Sequence, residues 1–320
     1  MSQIFDALQK SENEDVETDS SNASEATELL QRAERRAMGR WETATLPNQG
    51  DASASSASKA IAGLGGLPAG GEHDLFNGIP RVKVSPTPQS RLVCLTDSDG
   101  PAAEAFRLLG VRLRHLRREK PLKTVLITST IPQEGKSMVA VNLACTLALK
   151  PEHKVLLIEG DLRRPALSQM FAMEEKPGLR ECLQSDRAVV TSLYYLEGLN
   201  LWMLPAGGAS SNALDLLQSG RLPALMQQLS AWFDWMIIDA PPVLPLADTS
   251  VWSRMAEGIL LVTRQGVTKK QQLLRGLEAL ESKKLVGALL NCSRHADHDE
   301  YDYYYRSVPS LPKPSDGSAG

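Results

Sequence analysis

The stretch Thr124-Val125-Leu126-Ile127-Thr128-Ser129-Thr130-Ile131-Pro132-Gln133-Glu134-Gly135-Lys136-Ser137 decides the fold. Thr124–Thr128 is a short, apolar and β-branched run that reads as a buried strand, and Lys136–Leu149 reads as the helix that follows. Between them lies a loop ending in Gly-Lys-Ser, which in this strand-to-helix setting predicts a phosphate-binding loop. Main-chain N–H groups at the start of a helix can cradle phosphate oxygens, and the helix dipole favours negative charge there. Gly135 lets the backbone approach closely, Lys136 is placed to pair with β- and γ-phosphate oxygens, and the Ser137 hydroxyl to hold Mg²⁺. Thr130, Pro132, Gln133, Glu134 and Met138 complete the candidate contacts to ATP, with Thr130 standing where the bare pattern asks for glycine.

Outward from this loop the chain alternates short apolar runs with longer helical ones, which predicts βαβ units and an α/β fold with a mostly parallel sheet flanked by helices. The expected strands are 124–128, 155–158, 199–204, 235–238, 259–262 and 286–290, with helices over 136–149, 214–233 and 269–282. Two of the strands end in acid: Val155-Leu156-Leu157-Ile158-Glu159-Gly160-Asp161 and Trp235-Met236-Ile237-Ile238-Asp239-Ala240-Pro241-Pro242. In a parallel sheet both ends emerge on the edge that carries the phosphate loop, where ligands bind. Lys136, Asp161 and Asp239 are therefore the candidate catalytic residues, and Ser137, Asp161 and Asp239 the candidate Mg²⁺ ligands. Asp239 suits the metal side; Asp161 suits accepting a proton from an attacking hydroxyl or holding the ion.

The ends of the chain read differently. Residues 1–90 include an acidic, serine-rich piece (11–24) and a Gly/Ala/Ser tract (51–71), compositions that bury too little apolar surface to order themselves, so a largely disordered arm is expected. Within it Leu29, Leu30, Ala33, Ala37 and Trp41 share a helical stripe that reads either as a docking helix or as a transient one. A globular domain is expected over 91–295 and a flexible tail over 296–320, where four of the chain's six tyrosines, Tyr301, Tyr303, Tyr304 and Tyr305, fall in five residues. The net charge of −3 argues against nucleic-acid binding, and the dispersed Cys94, Cys145, Cys182 and Cys292 carry no zinc or redox spacing. No apolar run reaches the roughly 18–20 residues of a spanning helix and no secretory leader is present, so a cytoplasmic protein is expected, held at any membrane by a partner.

These segments together resemble the bacterial tyrosine kinase family, deviant Walker ATPases of capsule and exopolysaccharide synthesis. The resemblance covers roughly residues 104–305. It rests on Glu104-Ala105-Phe106-Arg107, the loop 132–137, Asp161-Leu162-Arg163-Arg164-Pro165, Ser211-Asn212-Ala213-Leu214-Asp215-Leu216-Leu217, Asp239-Ala240-Pro241-Pro242 with Asp248, and the tyrosine cluster. It implies an ATP- and Mg²⁺-dependent protein-tyrosine autokinase whose tail tyrosines are the substrate, a homo-oligomer contacting through Glu104 and Arg107, and a membrane-anchored activator of the polysaccharide co-polymerase type. Asn291, after the last strand, is a candidate adenine contact or an ordinary turn residue. The chain departs from the family at Gln133, usually glycine, at Glu159, usually aspartate, and at Gly110, usually the last arginine of Glu-x-x-Arg-x-x-Arg, for which Arg112 or Arg114 could substitute. Glu159 adds a methylene that could displace a metal-bound water. A positioning-type ATPase, which would carry a lysine where Ile131 stands, and an ATP-binding scaffold of an export complex are the alternatives.

Overall fold

The computed structural model describes residues 76, 78–84, 91–173, 176–185, 188–208, 210, 212–244 and 246–292. The arm before residue 76 and the tyrosine cluster Tyr301, Tyr303, Tyr304 and Tyr305 lie outside the described residues.

Eight strands form one sheet in the order β1-β4-β5-β3-β6-β2-β7-β8. They are β1 (Arg81–Lys83), β2 (Thr124–Ser129), β3 (Val155–Glu159), β4 (Tyr194–Glu197), β5 (Leu201–Leu204), β6 (Trp235–Asp239), β7 (Gly258–Arg264) and β8 (Leu285–Asn291). Every neighbouring pair is parallel except β4 and β5. β2, β3 and β6 are buried along their whole length, as continuous apolar strands must be when helices cover both faces.

The pleat divides the core in two. Val125, Ile127, Val155, Leu157, Trp235 and Ile237 point to the face covered by α2 (Pro101–Glu119) and α3 (Lys136–Ala148). Leu126, Leu156, Ile158, Met236 and Ile238 point to the opposite face, where α7 (Arg221–Trp232), α8 (Asp248–Met255) and α9 (Lys270–Glu278) lie. The short helices α1 (Val93–Thr96), α4 (Ala166–Met170), α5 (Leu179–Gln184) and α6 (Ala213–Leu217) sit in the connections. α3 is buried from Val139 to Ala148, so its uncharged, nearly all-apolar sequence is the consequence of being enclosed between α2 and the sheet.

All six expected strands are present, with ends shifted by a residue or two. The helix expected over 214–233 is instead two, α6 and α7, because Gly220 takes a left-handed conformation (φ +79°) and the chain turns there. β1 and β4, α2 and α8 were not expected. β1 falls inside the stretch 1–90 read as an arm; only three residues long, it pairs with β4 and carries no pattern of its own.

Candidate nucleotide and catalytic site

The strand order brings the acidic ends together. β6 lies between β2 and β3, with Asp239 in register with Ile127 on one side and Glu159 on the other. The loop leaving β2 and the loop leaving β3 therefore flank Asp239. The Lys136 ammonium stands between two carboxylates, 3.4 Å from Asp161 Oδ2 and 3.4 Å from Asp239 Oδ1, and 3.2 Å from Ser137 Oγ. Residues separated by up to 103 positions thus meet at one ammonium group.

Burial sets the electrostatics. Desolvation raises the Asp239 carboxyl above its ordinary range, against the opposing pull of the Lys136 charge and the Ser137 hydroxyl. For Lys136 desolvation pushes down, but the charges of Asp239 and Asp161 outweigh it and hold the ammonium above its ordinary value. Asp239 Oδ2 is buried without a hydrogen-bond partner, a position that demands a further donor or cation. Two carboxylates and a hydroxyl form an all-oxygen set, which suits a hard cation such as Mg²⁺ when phosphate oxygens and water complete the shell. Protein side chains do not complete such a shell themselves: among the described residues no group of three or more His, Cys, Asp or Glu is arranged to hold a metal ion.

The phosphate loop is fastened from outside. Gly135 caps α3 at φ +91°, and a Cβ there would stand 2.1 Å from the Asn291 amide nitrogen, so the position admits only glycine. That amide donates to the Glu134 carbonyl at 2.9 Å, tying the end of β8 to the loop. The buried Glu134 carboxylate accepts from Ile131 N–H at 2.8 Å and from the Thr268 hydroxyl, so it braces the loop from within. Thr130 is also buried, its side chain turned toward Gly276 of α9. Pro132 and Gln133 are exposed, and Met138 packs partly into the core.

Gln133 adopts φ +67°, the left-handed region that costs a side-chain-bearing residue about 1 kcal/mol. Gln133→Gly is expected to leave the melting temperature unchanged or raise stability by up to about 1 kcal/mol, as read by thermal unfolding.

Asp161 rides on the loop 160–165, which is held at many points. Gly160 N–H donates to the Asp239 carbonyl at 2.8 Å, Trp252 Nε1 donates to the Gly160 carbonyl at 3.0 Å, and Ser210 N–H donates to the Leu162 carbonyl at 2.9 Å. Arg164 N–H donates to Asp161 Oδ1 at 3.0 Å, and Arg163 forms a forked pair with buried Asp248 at 2.7 and 3.2 Å. Sequence reasoning singled out Asp248 without its partner, and missed Thr268 and Trp252 entirely. Neither belongs to a motif, since each acts through contacts made only in the fold. Glu104 and Arg107 form an i,i+3 ion pair at 2.9 Å on α2, where Arg107 also donates to the Ser98 carbonyl. Gly110 of the same helix is buried against α3, near Thr146 and Leu147.

A central parallel strand flanked by a Gly-Lys-Ser loop and a second acidic loop, all delivered to one sheet edge, defines a P-loop nucleotide-binding protein. No protein-family model matches the chain. It is 33% identical over 218 residues to the tyrosine-protein kinase YwqD of Bacillus subtilis (strain 168), a match covering 68% of this chain and 92% of YwqD. It is 30% identical over 214 residues to the succinoglycan biosynthesis transport protein ExoP of Rhizobium meliloti (strain 1021), covering 63% of this chain but 27% of ExoP. The kinase domain of the Escherichia coli tyrosine kinase ETK superposes with a TM-score of 0.60 at 25% identity, over 68% of this chain and 90% of that domain. The chain belongs to the bacterial tyrosine kinase family.

Proposed function

We propose that this kinase binds ATP on the loop 130–138 and transfers the terminal phosphoryl group to its own tyrosines Tyr301, Tyr303, Tyr304 and Tyr305. The single observation that carries this reading is Lys136, its side chain only 12% exposed and held between Asp161 and Asp239 at the open end of the sheet. A lysine so placed neutralises phosphate charge, and main-chain amides at the start of α3 orient the chain of phosphates. Ser137, Asp161 and Asp239 are the residues that would hold Mg²⁺, which supplies charge neutralisation at the phosphates when bound. A tyrosine hydroxyl, with an ordinary pKa near about 10, needs a base. In this reading its proton passes to Asp161 as the tyrosine oxygen bonds to the γ-phosphorus and the bond to the β-phosphate oxygen breaks, releasing ADP. Asn291 would act through the loop it braces, whether or not it also meets the adenine.

We further infer a role in making or exporting an extracellular polysaccharide, supported by the similarity to ExoP. Among the described residues no helix is long and apolar enough to cross a membrane. A separate membrane-anchored activator and a homo-oligomer joined through Glu104 and Arg107 of α2 belong to the same proposal, with the protein working on the cytoplasmic face. Phosphotyrosine formed after the full chain meets ATP and Mg²⁺ tests it. The signal should disappear when Tyr301, Tyr303, Tyr304 and Tyr305 are all changed to Phe, and rise when the cytoplasmic tail of such an activator is added. Hydrolysis of ATP without any phosphotyrosine, with activator present, would identify a nucleotide switch instead.

A further inference from the structure

Glu159 ends β3, two residues before Asp161, where it could have been another carboxylate of the metal. Its side chain goes elsewhere. Oε1 accepts from the main-chain N–H groups of Leu167 at 2.6 Å and Ser168 at 3.0 Å, in the first turn of α4. Oε2 accepts from the Ser168 hydroxyl and from Ala206 N–H at 3.0 Å. Glu159, Leu167, Ser168 and Ala206 are all fully buried. Pro165, which caps α4, supplies no side-chain hydrogen bond, so Glu159 provides from a neighbouring strand the acceptor that the first turn lacks. The same carboxylate ties in Ala206, whose carbonyl accepts from Arg180 N–H at the start of α5.

These bonds have a geometric consequence. The loop 160–165 begins at Glu159 and ends where α4 begins, so a single carboxylate grips both of its ends. Asp161, Arg163 and Arg164 are all on that loop. Four donors saturate the Glu159 oxygens, whereas Asp239 Oδ2 on the adjacent strand has none. The carboxylate able to accept a cation is thus Asp239, and the one already committed is Glu159.

We propose that Glu159 is a positioning residue that sets the place of Asp161 by clamping the ends of its loop, and that it does not hold the metal. This rests on the kinase reading for its activity arm only. The length of Glu is the specific requirement. An Asp, one methylene shorter, would keep the charge but withdraw the carboxylate by about an ångström, enough to break hydrogen bonds of 2.6–3.0 Å.

The test compares Glu159→Asp, Glu159→Gln and Asp239→Asn in the full chain. Hydrogen exchange without nucleotide or metal should show the amides of Leu167, Ser168 and Ala206 protected in the wild type and exchanging at least about tenfold faster in Glu159→Asp. The affinity for ADP measured by calorimetry should depend on Mg²⁺ within about twofold as in the wild type for both Glu159 variants, and change about tenfold or more for Asp239→Asn. The kcat for tail phosphorylation should fall about tenfold in Glu159→Asp at unchanged KM for ATP, and should fall in Glu159→Gln as well, since Gln keeps the length but offers one accepting oxygen to donors that Glu159 meets with two. A Mg²⁺ dependence altered tenfold in Glu159→Gln, or Glu159→Asp as active and as protected as the wild type, would overturn the proposal. Should Glu159→Asp fail to fold, Glu159→Gln carries the decision through its exchange rates and Mg²⁺ dependence. Absence of phosphotyrosine in the wild type itself would count against the kinase reading, while the exchange and calorimetric arms would still judge Glu159.

Discussion

Lys136→Met is expected to lower tail phosphorylation by at least about 10²–10³-fold, the usual loss when one preorganised donor to a developing charge is removed. The structure adds a second effect, visible without substrate. Lys136 is the cation that Asp161 and Asp239 share, each at 3.4 Å, and Asp239 is fully buried. Without it, two neighbouring carboxylates face each other across the site and one must take up a proton. The Asp239 carboxyl is already raised by desolvation, so the folded state binds that proton more tightly than the unfolded state does. Stability from this group therefore falls as pH rises through its folded pKa, and the loss is larger in the variant. Lys136 has the same sign of linkage, in a more alkaline window. Its folded pKa lies above the ordinary value, so its stabilisation is fully present below about pH 10.5 and fades as pH rises past the folded value. Urea midpoints measured across pH should show the variant weaker than the wild type at neutral pH, the gap closing toward acid, and the alkaline loss present only in the wild type. Equal midpoints at pH 5 and pH 7 in the variant would contradict the shared-cation arrangement.

Trp252→Ala is expected to cost about 3–5 kcal/mol, among the largest stability losses available in this chain. Trp252 is wholly buried in α8, and its indole ring fills the space above Gly160, where a Cβ would stand 2.8 Å from the ring. Its Nε1 donates to the Gly160 carbonyl at 3.0 Å, so truncation both opens a cavity and strips a partner from the loop that carries Asp161. Trp252→Phe should recover much of the packing and leave a smaller loss of about 1–2 kcal/mol, mainly from the lost indole N–H bond, the Gly160 carbonyl keeping only the Leu162 N–H at 3.2 Å. Chemical denaturation measures both; an alanine variant within about 1 kcal/mol of the wild type would mean that the ring is not the buttress described.

Much of the architecture is legible in the chain because it depends on local patterns. The runs at 124–128, 155–158 and 235–238 are apolar without alternation, which already says that both sheet faces are covered, and Gly135-Lys136-Ser137 fixes where a helix begins. The two acidic strand ends are visible for the same reason. What the pattern does not carry is the direction in which a side chain points. Glu159 and Asp161 look alike as a pair of acids, yet one is folded under the loop and the other faces Lys136. Glu134 reads in the sequence only as a candidate ATP contact, yet its carboxylate is wholly buried and spent on Ile131 N–H and on Thr268, which arrives from a turn 134 residues away. β1 is too short to show an alternation, and the break between α6 and α7 depends on one glycine at positive φ.

The bond from Asn291 to the phosphate loop fixes where the polypeptide departs from the sheet. Tyr301 and Tyr305 follow it by ten and fourteen residues. A fully extended chain spans at most about 3.3–3.6 Å per residue, so the leash allows the first tyrosine roughly 35 Å and the last roughly 50 Å from that anchor. In the proposed reaction the reach of these tyrosines is thus a ruler attached to the phosphate loop itself, and any site that phosphorylates them, in the same chain or in a second copy, has to lie within that radius.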